Sequence, residues 1–411
     1  MTGKDLFTRV AERLGTYQQQ MIDMQRELVS RVAVGPNEGG PGEGEKAAFL
    51  SDLLRGWGLK VENFPAPDDR VAGGERPNLV AWVPGRRPEK IWVLSHLDVV
   101  PPGEEALWDY DPFTLRVDGD RLYGRGTEDN HQGIVISLMA VKALLDLDIT
   151  PPRTLALALV SDEETGSQMG AAHLLREHPQ LFGPEDLIIV PDAGNPDSTL
   201  IEVAEKSLLW LRLELQGKQC HASRPDLGRN SLRACAHVIV ALEELAREFP
   251  LENPLFRPPA STFEPTKKEA NVPNINTVPG LDVLYLDCRV LPEYDLAQVK
   301  ERVRALGEEA ARRFGVSLKV APVQEQSGPP TAIEAPVVQA LTRAIREVYG
   351  REAKPRGIGG GTVAAFFRQQ GLPAAVWMTV THTAHQPNEF CLLSNLLGDA
   401  RVLAHVFLEE E

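Results

Sequence analysis

Three short apolar runs in this chain each end in ionisable residues. The run Ile91–Leu97 delivers Ser95, His96, Leu97 and Asp98; Thr154–Val160 is followed by Ser161, Asp162, Glu163 and Glu164; and Leu187–Val190 is followed by Pro191, Asp192, Ala193 and Gly194. A fourth run, Ala374–Val380, precedes His382, His385 and then Gln386-Pro387-Asn388-Glu389. Carboxylates packed closely repel one another and take up protons unless a cation lies among them. Imidazole and carboxylate oxygens without a thiolate suit zinc, cobalt or manganese. The residue types therefore point to a divalent-metal centre and to the chemistry of an activated water.

Within the cluster the spacings suggest roles. His96 and Asp98 are two residues apart, which on a strand puts both side chains on one face, so Asp98 is placed to hold the free nitrogen of a metal-bound His96. Gly124, Gly126, Asp129 and Asn130 precede an apolar helix, which sets Asp129 at a helix N-terminus on a tight glycine turn; a simple helix cap is the plainer reading of that aspartate. Glu163 and Glu164 cannot easily both face one metal along an extended strand, so one ligand and one base is the natural split. Either His382 or His385 can serve as a ligand. Polar residues at strand ends are common and a lone histidine is more often structural, but four such tips together are not easily explained by packing.

The elements that must position these residues follow from the pattern. Apolar runs rich in Val, Leu and Ile alternate with helical stretches such as Gly133–Leu145 and Gly170–Glu177, as in an α/β sheet covered on both faces. In such sheets ligands bind beyond the carboxyl ends of the strands, where all four tips converge. From Ser207 the texture changes. Leu208–Gln216 alternates like a strand, Ser231–Phe249 is helical, Ser261–Glu269 and Asn276–Val290 are extended, Tyr294–Phe314 is helical and Val316–Gln324 is a last strand. Strand, helix, strand, strand, helix, strand is the order of a ferredoxin-like α+β domain. The expected organisation is a catalytic α/β domain over 1–206 and 326–411, resuming with a helix at Pro336–Tyr349, interrupted by a small domain over 207–325.

Composition narrows the class. A chain of 411 residues exceeds one ordinary core, and 43% hydrophobic with 25% charged residues is globular. The net charge of -15, from 58 acidic against 43 basic residues, argues against nucleic acid or an anionic membrane as partners. Met1–Arg31 is charged and amphipathic without an apolar signal core, and no segment offers the roughly 20 apolar residues of a membrane span, so a cytoplasmic protein is expected. Cys220, Cys235, Cys288 and Cys391 form no close pair, which disfavours a disulfide framework and a thiolate zinc site. No cysteine lies at a strand tip with a histidine nearby in sequence, so a cysteine nucleophile has little support. The glycine loop Gly357–Thr362 lacks the lysine of a nucleotide P-loop. His173, His178, His237 and His405 fall in helical patterns and read as packing or surface residues.

The succession His96-Leu97-Asp98-Val99-Val100-Pro101, Gly124-Arg125-Gly126 with Asp129, Asp162-Glu163-Glu164, Asp192 and His385-Gln386-Pro387-Asn388-Glu389 resembles the co-catalytic zinc metallopeptidase family of succinyl-diaminopimelate desuccinylase, acetylornithine deacetylase, glutamate carboxypeptidase and Xaa-His dipeptidase. The resemblance runs in order along nearly the whole chain. It implies two zinc ions bridged by Asp129, one held by His96 and Asp192 and the other by Glu164 and His385, with Glu163 as general base and Asp98 orienting His96. It also implies that the inserted domain is a lid that makes a homodimer, and that His221 polarises the scissile carbonyl, often from the partner subunit. Asn276, Arg289 and the loop Gly359-Gly360-Gly361-Thr362 resemble positions that hold a substrate carboxylate. From its own sequence, Arg289 reads as a strand-surface ion pair.

Three departures stand out. His131 occupies the place where many members carry a lysine, two residues after the bridging aspartate. Lys206-Ser207 stands where Lys-Gly is frequent. Asp192 is an aspartate, as in the dipeptidase and tripeptidase branch, where desuccinylases and deacetylases mostly place glutamate. The expectation is a metal-dependent hydrolase of a dipeptide or N-acyl amino acid, with a desuccinylase-type deacylase as the alternative enzyme. A non-catalytic metal-binding relative is the other alternative, and it has no need of Glu163.

Overall fold

The four apolar runs are adjacent parallel strands of an eight-stranded sheet in the computed structural model, which describes residues 3–410. Its strands are β1 (Lys60–Asn63), β2 (Leu79–Val83), β3 (Arg87–His96), β4 (Arg153–Val160), β5 (Leu187–Gly194), β6 (Leu200–Glu205), β7 (Lys354–Ile358) and β8 (Ala374–Met378). Their spatial order is β1-β2-β4-β3-β5-β8-β6-β7. The central four, β4-β3-β5-β8, pair in parallel, whereas β1, β2 and β6 join antiparallel. Parallel strands covered on both faces must be apolar throughout, which is why these four were readable as continuous runs. The outermost strands carry polar sequences, KVEN in β1 and KPRGI in β7.

Helices on the first face include α1 (Gly3–Gly15), α2 (Gln18–Ser30), α3 (Gly44–Gly56), α4 (His131–Asp146) and α5 (Leu393–Leu408), the last packed against the expected helix Pro336–Tyr349. Helix α4 is apolar nearly all round because it is sandwiched, with β3 and β5 on one side and α1, α2 and α5 on the other. On the opposite face Trp92, Leu94, Ala156, Ile188 and Val376 pack with Leu174 and Phe367 from the helices Ala171–Glu177 and Ala364–Gln369. Trp92 is fully buried, and truncating such a residue to alanine costs about 3–5 kcal/mol.

The chain divides into two compact units. The first holds the residues up to Val203, Thr331–Arg356 and those from Thr362 onward; the second holds Ala204–Pro330 with Gly357–Gly361. The second unit is a four-stranded antiparallel sheet in the order Thr262–Lys268, Leu281–Val290, Ser207–Gln216, Ser317–Gln326. Leu209, Leu211, Leu213 and Leu215 alternate onto the face covered by the helices Ser231–Leu242 and Leu296–Arg312, forming one core with Val238, Val299 and Val303. Element order and strand order together are those of the ferredoxin-like fold. The expected helix Ser231–Phe249 is two pieces, Ser231–Leu242 and Leu245–Glu248. Among the described residues no helix is long and apolar enough to cross a membrane.

Candidate metal centre

Strand β3 ends on His96, so Asp98 lies beyond the strand and the same-face argument does not apply to it. The Nδ1 of His96 is 3.0 Å from the backbone oxygen of Asp98 and 3.5 Å from its carboxylate, so the carbonyl is the nearer acceptor. The Asp98 carboxylate also accepts the amides of Glu163 at 3.1 Å and Glu164 at 3.0 Å. It therefore joins the tip of β3 to the tip of β4.

Glu163 and Glu164 are not extended. The chain turns at Asp162, with φ 68°, into the 3-10 turn Glu163–Thr165. The Asp162 carboxylate holds this turn by accepting from the Thr165 hydroxyl and from the Met169 amide at 3.0 Å.

Asp129 precedes Asn130, the residue that opens α4, and its carboxylate caps no helix. One oxygen is 2.8 Å from His96 Nε2 and the other is 3.1 Å from His385 Nε2. His385 Nε2 is also 3.1 Å from Glu164 Oε2, and His96 Nε2 is 3.6 Å from Asp192 Oδ1. Asn130 donates to that same Asp192 oxygen at 3.0 Å and to the Pro191 carbonyl at 2.6 Å, which fixes Asp192 beside α4. His96, Asp129, Glu164, Asp192 and His385 are thus brought together. His382 has a left-handed backbone, as His385 does, but is in none of these contacts.

The donor set fits divalent metal. His96, Asp129 and Glu164 each present a ligand atom within 4.8 Å of the others, and Glu164 Oε1 is buried with no hydrogen-bond partner. Two ligand atoms on one tetrahedral zinc lie about 3.3 Å apart, close to the spacings of these pairs. Burial and the neighbouring Asp129 push Glu164 up to about 7, and burial and Asp192 push Glu163 well above the carboxylate range. Hydrogen bonds to Asp129 and Glu164 raise His385 to about 11. Burial opposes protonation of His96, but Asp129, Asp192 and Asp98 outweigh it and hold that imidazole well above its ordinary value. A cation bound by these groups would relieve the same carboxylate repulsion.

The other expected site residues have the following surroundings. His221 is exposed, its Nδ1 2.8 Å from the Ser223 hydroxyl, on a short bridge in which it faces Thr277. The backbone oxygen of Asn276 accepts the Ala222 amide at 2.8 Å, so His221 and Asn276 share one corner of the second unit. Arg289 is gripped by Asp287 through two bonds of 2.7 and 3.0 Å and donates to the Gly359 carbonyl at 2.8 Å. A Cβ has open space at Gly360, whereas at Gly361 it would meet the Gln326 side chain at 3.3 Å. Thr362 is buried, its hydroxyl accepting from the Ala364 amide at 3.2 Å.

Residues 92–409 match the sequence profile of peptidase family M20/M25/M40. The chain belongs to that family. As an M20 member it is an enzyme, a metallohydrolase of peptidase or amidohydrolase type. It is 36% identical over 403 residues, 93% of this chain and 97% of the other, to an uncharacterized metallohydrolase of Methanococcus maripaludis. It is 27% identical over 375 residues, 90% of this chain and 93% of the other, to the succinyl-diaminopimelate desuccinylase of Stenotrophomonas maltophilia. Its fold is similar to that of human carnosine dipeptidase 1, with a TM-score of 0.77 at 18% identity over 98% of both chains.

Three further residues of this M20 chain touch the centre's supports and received no role from sequence. Glu389, fully buried, accepts from Arg125 at 2.6 Å and from the amides of Gly126, Glu128 and Asp129 at 3.0 Å each. Burial pushes it up to about 7 against the opposing pull of Arg125. Glu128 accepts from the Thr381 amide and hydroxyl and from the amides of Thr383 at 2.5 Å and Ala384 at 2.9 Å. Lys46, on α3, reaches His131. The usable signal for Lys46 was its i, i+4, i+8 spacing with the apolar Leu50 and Leu54.

Proposed function

We propose that this M20 enzyme hydrolyses an amide or peptide bond in a small carboxylate-bearing substrate, a dipeptide or an N-acyl amino acid. In this reading His96, Asp129, Glu164, Asp192 and His385 hold two divalent metal ions, zinc by donor chemistry, with cobalt or manganese also suited. The observation that carries it is the Asp129 carboxylate, whose two oxygens lie 2.8 Å from His96 Nε2 and 3.1 Å from His385 Nε2, dividing the donors into two sets around one shared group.

Bound divalent cations supply an acidified water and an electrophile for the carbonyl oxygen. Glu163 takes the proton from the attacking water and delivers it to the amine as the C–N bond breaks. Burial and Asp192 raise its affinity for protons in the metal-free site, and bound cations would offset that carboxylate repulsion and free it to accept one. Asp98 keeps Glu163 and Glu164 in place through their amides. His221 donates to the developing oxyanion, and its replacement by alanine lowers kcat by about 100-fold. Asn276, Arg289 and Gly360, Gly361 and Thr362 receive the substrate's carboxylate; Arg289 has three of its five N–H donors already engaged.

The second unit serves as lid and homodimer contact in a cytoplasmic enzyme, with His221 acting in its own subunit or in the partner. Full activity in a monomeric form would remove the dimer from this reading. Asp192 favours peptides, and the identity to a desuccinylase favours the deacylase alternative. Turnover of a panel of dipeptides, N-acetyl amino acids and N-succinyl-diaminopimelate by the zinc-loaded protein decides. Cleavage of dipeptides alone supports the first reading, cleavage of acylated substrates alone the second, and metal binding without turnover of any amide contradicts both.

A further inference from the structure

His131 stands two residues after Asp129, and the tip of its side chain meets the nitrogen of a buried lysine. Lys46 Nζ lies 2.7 Å from His131 Nε2 and donates to the Leu97 carbonyl at 2.8 Å. Lys46 and His131 are each 1% exposed. Leu97 sits between His96 and Asp98, and His131 is the first residue of α4, directly after the Asp129-Asn130 pair. One buried lysine nitrogen thus ties the backbone that carries His96 to the helix start that follows Asp129.

Burying a lysine among apolar residues costs several kcal/mol unless its charge is matched. The apolar residues of α3, Ala47, Leu50 and Leu54, already anchor that helix without it. Burial pulls Lys46 down to about 7 against the opposing attraction of Asp98, Glu43 and Glu389, carboxylates that brace the tips of β3 and β4 and the glycine turn. A helix-anchoring role does not require such an arrangement, whereas holding two ligand-bearing segments in register does.

We propose that Lys46 and His131 form one positioning unit for the metal centre, in which the side-chain nitrogen carried by α3 links the Leu97 carbonyl to the first residue of α4. The inference rests on His96 and Asp129 being metal ligands.

The test uses full-length wild type, K46M, H131A and the double variant K46M/H131K. Zinc binding is followed by calorimetry and kcat and KM on the best amide substrate. K46M is expected to bind zinc about 10- to 100-fold more weakly and to lose kcat with little change in KM, as removal of an outer partner of a metal ligand does. The double variant, which supplies a lysine nitrogen from the other side, recovers most of both. A folded K46M with wild-type zinc affinity and kcat overturns the proposal, and so does a folded double variant no better than K46M. If K46M does not fold, H131A decides: weakened zinc binding supports the unit and unchanged binding overturns it. A wild type that binds no zinc removes the parent reading as well, whereas a zinc-binding wild type with unaltered variants removes only this inference.

Discussion

Glu128 and Glu389, 261 residues apart, hold each other's segments: the Glu389 carboxylate accepts the amide of Glu128 at 3.0 Å, and Glu128 in turn accepts amides from the loop leading to Glu389. One carboxylate secures the glycine turn that presents Asp129, and the other secures the residues just before His385. Two segments far apart in sequence are thereby registered against each other by side-chain carboxylates that accept backbone amides.

Removing one side of this clamp leaves buried groups without partners. Glu389→Ala strands the Arg125 guanidinium, which is 2% exposed, along with three amides. A buried charge left alone costs about 3–5 kcal/mol, so urea unfolding of the metal-free variant shifts to clearly lower denaturant. An unchanged midpoint would show that the clamp contributes nothing.

A second stability effect depends on pH. Burial of Asp146 opposes its ionisation, but hydrogen bonds from Lys142, Tyr17 and Arg13 win and hold it down to about 2. An aspartate ordinarily titrates near about 4, so the folded state gains stability from this ionised group above that value and loses it as pH falls through 2. Asp146→Asn is therefore less stable than wild type at pH 7, and the gap closes between pH 4 and pH 2. Urea midpoints across that range check it; a gap that stays constant contradicts it.

Metal uptake is coupled to protons. His385 is raised to about 11 and His96 is also raised, yet an imidazole must be neutral to bind a metal. Zinc binding at pH 7 therefore expels protons, and affinity falls about tenfold per pH unit for each proton displaced. Calorimetry in two buffers of different ionisation enthalpy counts them, and zero protons released contradicts the assignment of these histidines.

The parts of the fold legible in sequence were those whose physics is local. β3, β4, β5 and β8 announced themselves because a buried parallel strand is apolar at every position. The strand Ser207–Gln216 showed a clean alternation because one face packs and the other is wet. β1 and β7 went unread because edge strands carry polar residues that resemble loops. The candidate ligands were legible because they cluster at strand ends. Their supports were not: Glu128 and Glu389 look like ordinary acidic residues until the fold buries them, and Lys46 shares the buried face of its helix with Leu50 and Leu54, a place its charged side chain disguises. Asp98 lies beyond the end of β3, so strand alternation did not place it, yet its carboxylate is 3.5 Å from His96 Nδ1.

The central claim is that Glu163 is the base that moves the proton, and the kcat of Glu163→Gln at zinc content matched to wild type tests it most directly. The account predicts the same metal stoichiometry with kcat lowered by about 10²–10⁴. A glutamine variant with matched metal and turnover within a few-fold of wild type would contradict it.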